Sequence, residues 1–208
     1  MKYNNETLGA LALIFAGVFL SFGGVIIRFM ESSSAWQITG YRSITFSLAI
    51  LFYILIKYKK DTPHVFKKIG HSGILIALIL GFSNTCFVWG MSTTTVSNAV
   101  FIMSTGPLFA AICSYFFLKR KIGKKTFIAI AGSMFGITIM FSGGMESSNY
   151  IGNIIILGVP IGFAFQLTLL NYNSHIDFMP ATFLGGVFSS LIGFIFMANL
   201  DISTHDLL

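Results

Sequence analysis

A chain of 208 residues in which 55% are hydrophobic and only 10% charged, with the charges gathered into a few clusters, does not have the surface of a soluble globule. It has the composition of a protein dissolved in lipid. The net charge of +6 would suggest nucleic acid as a partner on a soluble surface, but here the basic residues sit in short loops between apolar runs, the pattern of topology signals.

Apolar runs long enough for a helix to cross a hydrocarbon core about 30 Å thick number about seven. The first covers residues 8–29, is longer than the apolar stretch of a cleavable signal peptide and is followed by further runs, so it is expected to remain in the mature protein. Lys2 precedes it, Arg28 lies at its far end where its long side chain snorkels to headgroups, and Glu31 follows.

The second run covers 35–56 and contains Arg42. That position is about seven residues into the span, roughly 10 Å of helix rise, where an unpaired charge costs about 2.5 kcal/mol or more, so it must face protein or water. Two roles fit it: a cavity residue that attracts an anionic or zwitterionic substrate, or an arginine that snorkels to headgroups or ties helices together through their carbonyls.

The loop after this run carries Lys57, Lys59, Lys60, Lys67 and Lys68. The third run, 73–90, holds Asn84 and Trp89, and the Thr93-Thr94-Thr95 stretch after it reads as a short connection, as does Ser32-Ser33-Ser34 earlier. The fourth run, 98–118, holds Asn98 and Thr105, whose spacing of seven predicts a shared helix face. Pro107 in the same run removes a backbone hydrogen bond and should kink it.

Lys119, Arg120, Lys121, Lys124 and Lys125 follow. The fifth run, 126–142, places Gly132 and Gly136 four apart, as close helix packing requires, and Glu146 comes after it. The sixth, 151–170, contains Pro160 and Gln166; the loop behind it holds only His175 and Asp177 and says nothing about sidedness. The seventh, 179–200, spaces Gly185, Ser189 and Gly193 four apart before Asp201 and Asp206.

Stretches such as 73–82 and 151–159 lack the alternation of a membrane β-strand, so the expected fold is an all-α integral membrane protein. Basic loops face the cytoplasm. The expected topology therefore has a cytoplasmic N-terminus, several passes through a bacterial inner membrane and the end of the chain outside. Cys86 and Cys113 each lie within a run, where a thiol packs as a small apolar side chain.

Sliding the chain along itself by about 143 residues lays Gly9 on Gly152, Phe22 on Phe165, Thr39 on Thr182 and Ser47 on Ser190, and superposes run one on six and two on seven. Five spans separate the copies, so the second starts on the opposite side of the membrane, as an inverted repeat demands. A complete second copy would need about three further helices.

From Leu80 to Gly144 the sequence resembles the first EamA domain of the drug/metabolite transporter superfamily, through Gly81, Ser97-Asn98-Ala99, Gly106-Pro107-Leu108 and the Gly132-x-x-x-Gly136 spacing. Arg42 matches an arginine common at that place in the family. The resemblance implies a ten-helix fold of two inverted five-helix repeats, a central substrate cavity and alternating access. This chain would hold the first repeat (1–145) and two helices of the second (146–208). Two positions depart from the family: Lys119-Arg120-Lys121 stands where a glutamate is usual, and Leu20-Ser21-Phe22 where a tryptophan is.

The expected function is secondary transport, in the efflux direction, of small metabolites or amino-acid-like compounds. The expected substrate-binding residues are Arg42, Asn84, Trp89, Asn98, Thr105 and Gln166, polar or amphipathic groups where leucine would cost less. Taken alone, each polar group is better read as a hydrogen bond between helices, worth about 0.6 kcal/mol on average; as a set they mark the expected cavity.

An intramembrane enzyme would need a metal-binding His-Glu-x-x-His, paired intramembrane aspartates or a Ser/His pair at depth. His64, His71, His175 and His205 all fall in loops or at span ends, and the acidic residues lie outside the spans, so no catalytic or metal site is expected. No phosphate-cradling glycine loop is present either, and no cofactor is expected. The alternative is a non-transporting membrane assembly or receptor component, inactive as a truncated chain; the expected partners are the lipid bilayer, a small-molecule substrate and a second copy of the chain in a homodimer, and not nucleic acid.

Overall fold

The computed structural model describes residues 9, 11, 14, 15, 17, 34–119, 123–142, 150–173 and 177–197. The chain forms two compact units, Met1–Ser33 with Asp201–Leu208, and Ser34–Leu200. Most of the first expected span lies outside the described residues; Gly9, Leu11, Ile14, Phe15 and Gly17 within it are helical. Arg28, Glu31, Glu146, His175 and the aspartates after residue 200 also fall outside.

The second unit is built from helices, with no strand among the described residues. Helix α1 (Ala35–Tyr58) starts at a reciprocal cap: Ser34 Oγ accepts from the Gln37 amide, and Gln37 Oε1 accepts from the Ser34 amide. That satisfies two donors that a helix start would otherwise leave unpaired. Ser34, the last residue of the serine run, is therefore a helix cap; Ser32 and Ser33 lie outside the described residues.

A 3₁₀ turn (Lys59–Asp61) and a seven-residue helix α2 (Thr62–Lys68) follow where the sequence was read as loop. Pro63 at the start of α2 suits the first turn, whose amides have no helical partner in any case. Then come α3 (Gly70–Thr93), α4 (Val96–Met103), α5 (Gly106–Leu118), α6 (Lys124–Ser142), α7 (Tyr150–Ile156), α8 (Gly158–Tyr172) and α9 (Met179–Phe196).

Five segments are long and apolar enough to cross a membrane: Ala35–Lys68, Gly70–Thr93, Val96–Leu118, Tyr150–Tyr172 and Met179–Phe196. Many of their outward side chains are large and apolar, with Phe116 71% and Ile195 73% exposed, as contact with lipid permits. The protein is thus a multi-pass, all-α membrane protein.

Two spans are interrupted, more sharply than a kink. The fourth breaks at Ser104-Thr105, ahead of Pro107, and the sixth at Leu157, ahead of Pro160. Proline supplies no amide to the carbonyl four residues back. For Pro107 that carbonyl is Met103's; beside it the Ser104 and Thr105 hydroxyls donate to the Phe101 and Ile102 carbonyls, both at 2.6 Å.

Glycines decide the packing. Helix α9 lies against α1 and α3, α8 against α3 and α5, and α7 against α3. A Cβ on Gly193 would lie 2.6 Å from Gly40 Cα and 2.9 Å from the Trp36 carbonyl, and one on Gly185 would lie 2.6 Å from Leu80. Close approach of α9 therefore depends on those positions being glycine. Gly132 and Gly136 do not do the same: a Cβ on either would meet nothing within 4 Å. Helix α6 only leans on α5, so that pair packs nothing in the described bundle.

Candidate functional site

Where α1, α3 and α9 meet, five polar side chains, Arg42, Ser43, Asn84, Thr85 and Ser189, lock together inside the apolar bundle. Arg42 Nη1 donates to Asn84 Oδ1 at 2.8 Å. Arginine has no acceptor, so the amide oxygen must face it and the amide nitrogen must face away. Asn84 Nδ2 then donates to Ser43 Oγ at 2.8 Å and to Ser189 Oγ at 3.1 Å.

The protons run in one direction from there. Ser43 Oγ donates to Ser189 Oγ at 3.0 Å, and Thr85 Oγ1, 3.3 Å from Ser189 Oγ, spends its own hydrogen on the Gly81 carbonyl at 3.0 Å. Ser189 is left to donate to Thr85. A buried network in which Asn84 and the three hydroxyls are all served resists rearrangement, because breaking one bond strands the next group in a medium without water.

Arg42 itself is not used up. Its guanidinium has five N–H donors and gives one to Asn84, while its face rests on Phe87, 5.1 Å from the ring centre. Among the described residues the one ion pair is Lys57 with Asp177, so no described carboxylate neutralises Arg42. The arrangement can hold an anion by charge-assisted hydrogen bonds to the remaining donors.

Toward the end of the bundle where α1 begins, aromatic rings gather. Trp36 lies 4.9 Å from Trp89, tilted by 57°, and stacks on Phe196 at 4.9 Å. The Trp89 Nε1–H is buried and has no partner. An unserved indole donor in a dry place is costly, and a ligand acceptor would relieve it.

The six residues expected from the sequence do not form one site. Arg42 and Asn84 are brought into direct contact, and Trp89 follows Asn84 on α3. Asn98 and Thr105 do not share a continuous helix face, because the fourth span breaks between them: Asn98 sits in α4 and Thr105 outside it. Thr105 is buried, its hydroxyl spent on the Ile102 carbonyl. The Asn98 amide is capped by the Thr95 hydroxyl at 3.3 Å.

Gln166 lines a different cavity of about 520 Å³, with Asn171, Asp177 and Thr182. Sequence reasoning passed over Ser43 and Thr85 and took Ser189 only as a small packing residue. The signal for two of them was there: Ser43 and Ser47 are four apart on α1, and Ser189 lies between Gly185 and Gly193.

Asp177, uninformative in the sequence, joins α1 to the start of α9. One carboxylate oxygen accepts from Lys57 Nζ at 3.0 Å and from the Tyr58 hydroxyl, and the other accepts from the Met179 amide at 3.0 Å. Burial alone would raise its pKa, but the Tyr58, Met179 and Lys57 hydrogen bonds outweigh that and hold the carboxyl below its ordinary value.

Compared with known proteins, residues 7–142 match the EamA-like transporter family. An uncharacterized transporter of Bacillus subtilis, YetK, is 26% identical over 204 residues, covering 92% of this chain and 59% of its own length. An uncharacterized transporter of Methanothermobacter thermautotrophicus is 23% identical over 226 aligned positions, covering 98% of this chain and 65% of its own. Arabidopsis thaliana Probable purine permease 4 is 34% identical over 96 residues, 43% of this chain and 25% of its own. The chain thus spans about three fifths of the first two relatives. No solved structure matches it.

Proposed function

The chain belongs to the EamA-like transporter family, and from that premise we propose that it serves secondary transport, in the efflux direction, of small anionic or zwitterionic metabolites such as amino-acid-like compounds. The observation that carries this reading is Arg42: a charge inside the bundle, steadied by Asn84 and Phe87 and free of any described carboxylate. A cation at that depth is costly unless it faces protein, water or a ligand. Its spare donors suit a carboxylate that arrives and leaves.

In this proposal, two inverted repeats, 1–145 and one beginning at 146, rock against each other about the site. One detail of packing supports the repeat. The offset of about 143 carries Ser43 onto Gly186 and Phe46 onto Ser189. Ser43 in fact pairs with Ser189, and a Cβ on Gly186 would lie 3.2 Å from Phe46. Such an exchange of partners is what a two-fold between α1 and α9 requires.

The proposed setting is a bacterial inner membrane with the N-terminus and the lysine-rich segment 57–68 in the cytoplasm. Proteoliposomes loaded with radiolabelled metabolites test the reading. Arg42→Ala is expected to slow transport of an anionic substrate about tenfold or more, the scale of a charge-assisted hydrogen bond, and to spare a neutral analogue. Equal losses on both would make the arginine structural, and no transport across a broad panel would sink the transporter reading.

A further inference from the structure

At the basic end of the bundle, two residues with left-handed φ bracket α2: Lys59 at 46° and Gly70 at 54°. They make α2 a separate element and not an extension of either span. Helix α2 docks by setting Phe66 edge-on against Phe183 of α9, with ring centres 5.7 Å apart. Between α2, α3 and α9 a crevice of about 290 Å³ opens.

The crevice has two chemistries. Its floor is apolar, from Phe66, Ile69, Ile74 and Leu184, while Lys67 and His71 stand at its rim. The apolar floor continues along α3, where Ile74, Leu75 and Leu78 are 52%, 47% and 41% exposed. Lys59, Lys60, Lys67 and Lys68 have no described carboxylate within ion-pair distance, the one such pair being Lys57 with Asp177. Gly70 lines the crevice at the start of α3, which has no side-chain cap, so the positive end of a 24-residue helix adds to the field there.

We propose that this crevice binds one anionic glycerophospholipid, its phosphate against Lys67 and His71 with Lys68 beside them, and an acyl chain over Ile74 and Leu184 toward Leu78. Positive charge alone would explain sidedness in the membrane. It would not call for an apolar slot beside it that opens onto the lipid-facing side of α3. A basic rim above such a slot, at the end of a span, matches a lipid with an anionic head and a hydrocarbon tail. The inference stands apart from the transport reading, because it needs only the helices and their lysines.

Native mass spectrometry on the purified, delipidated chain tests it, with phosphatidylglycerol, phosphatidylcholine, inorganic phosphate and glycerol phosphate as probes. One phosphatidylglycerol is expected to stay bound where phosphatidylcholine is stripped, and the two soluble phosphates to compete poorly. Lys67→Gln and Lys68→Gln are each expected to weaken phosphatidylglycerol about fivefold, Lys124→Gln to leave it unchanged, and Leu184→Trp to weaken it by filling the slot. Equal retention of both lipids, indifference to the Lys67 and Lys68 changes, or competition by free phosphate as strong as by the lipid would each overturn the proposal.

Discussion

Helix α1 is tied to α9 twice, and the two ties are built from opposite materials. Deep in the bundle, Ser43 meets Ser189 under Asn84, with glycines on both helices bringing the backbones together. At the basic end, Lys57 and Tyr58 reach Asp177 across half-exposed ground, the Lys57 and Asp177 side chains being 41% and 40% exposed. The first tie depends on steric fit and on buried donors that have nowhere else to go. The second is open to water and salt, where an ion pair contributes little. A bundle joined in this way is expected to hold firm at the Ser43–Ser189 contact and to loosen at the Asp177 end.

The largest effect is expected from Gly193→Val. Its side chain would press on the Gly40 backbone and the Trp36 carbonyl, neither of which can swing aside, and should cost about 3 kcal/mol or more in unfolding of the detergent-purified protein. A loss below about 1 kcal/mol would mean that α1 and α9 do not pack this closely. Asn84→Leu comes next. It removes the acceptor that holds Arg42 and the donor that serves both serines, leaving buried polar groups unserved at about 1–3 kcal/mol. Asn84→Asp, an acceptor that keeps the arginine paired, is expected to recover part of that loss.

The smallest effect belongs to the exposed tie and is read by pH. Asp177 has a folded pKa below its ordinary value near 3.8. Its contribution to stability is therefore fully present above that value and fades as the pH falls through the lower folded pKa. Comparing unfolding at pH 7 and pH 3, Asp177→Asn should flatten a small part of the acid loss. An unchanged acid profile would show that Asp177 does not link the two helices in solution.

How legible each tie was follows from the distance between its partners along the chain. Spans are local: an apolar run of the right length announces itself, and the runs at 35–56, 73–90 and 179–200 start within three residues of helices α1, α3 and α9. Pro107 and Pro160 announced trouble in their spans, but whether a proline bends a helix or divides it depends on which neighbours serve the freed carbonyls. At the first break the chain turns through tighter bonds, the Ser104 amide to the Phe101 carbonyl and the Thr105 amide to the Ile102 carbonyl.

The Asp177 tie joins residues 119 and 120 apart in sequence and leaves no local trace. Ser189 was legible as a packing residue and not as a hydrogen-bond hub, because that role needs Asn84 from a third helix. Gly132 and Gly136 teach the reverse. Their spacing is right for packing, yet nothing described lies against them, so spacing alone does not supply a partner.

Both tryptophans of the chain, Trp36 and Trp89, lie in contact with each other on the same two helices that carry Arg42 and Asn84. Their fluorescence therefore reports on this site without a label. The most direct test is to titrate the purified protein with a small carboxylate metabolite and with its uncharged amide. The account predicts that the carboxylate changes the tryptophan emission in the wild type and not in Arg42→Gln, while the amide changes neither. An equal response of both proteins to the carboxylate would contradict the placing of an anion at Arg42.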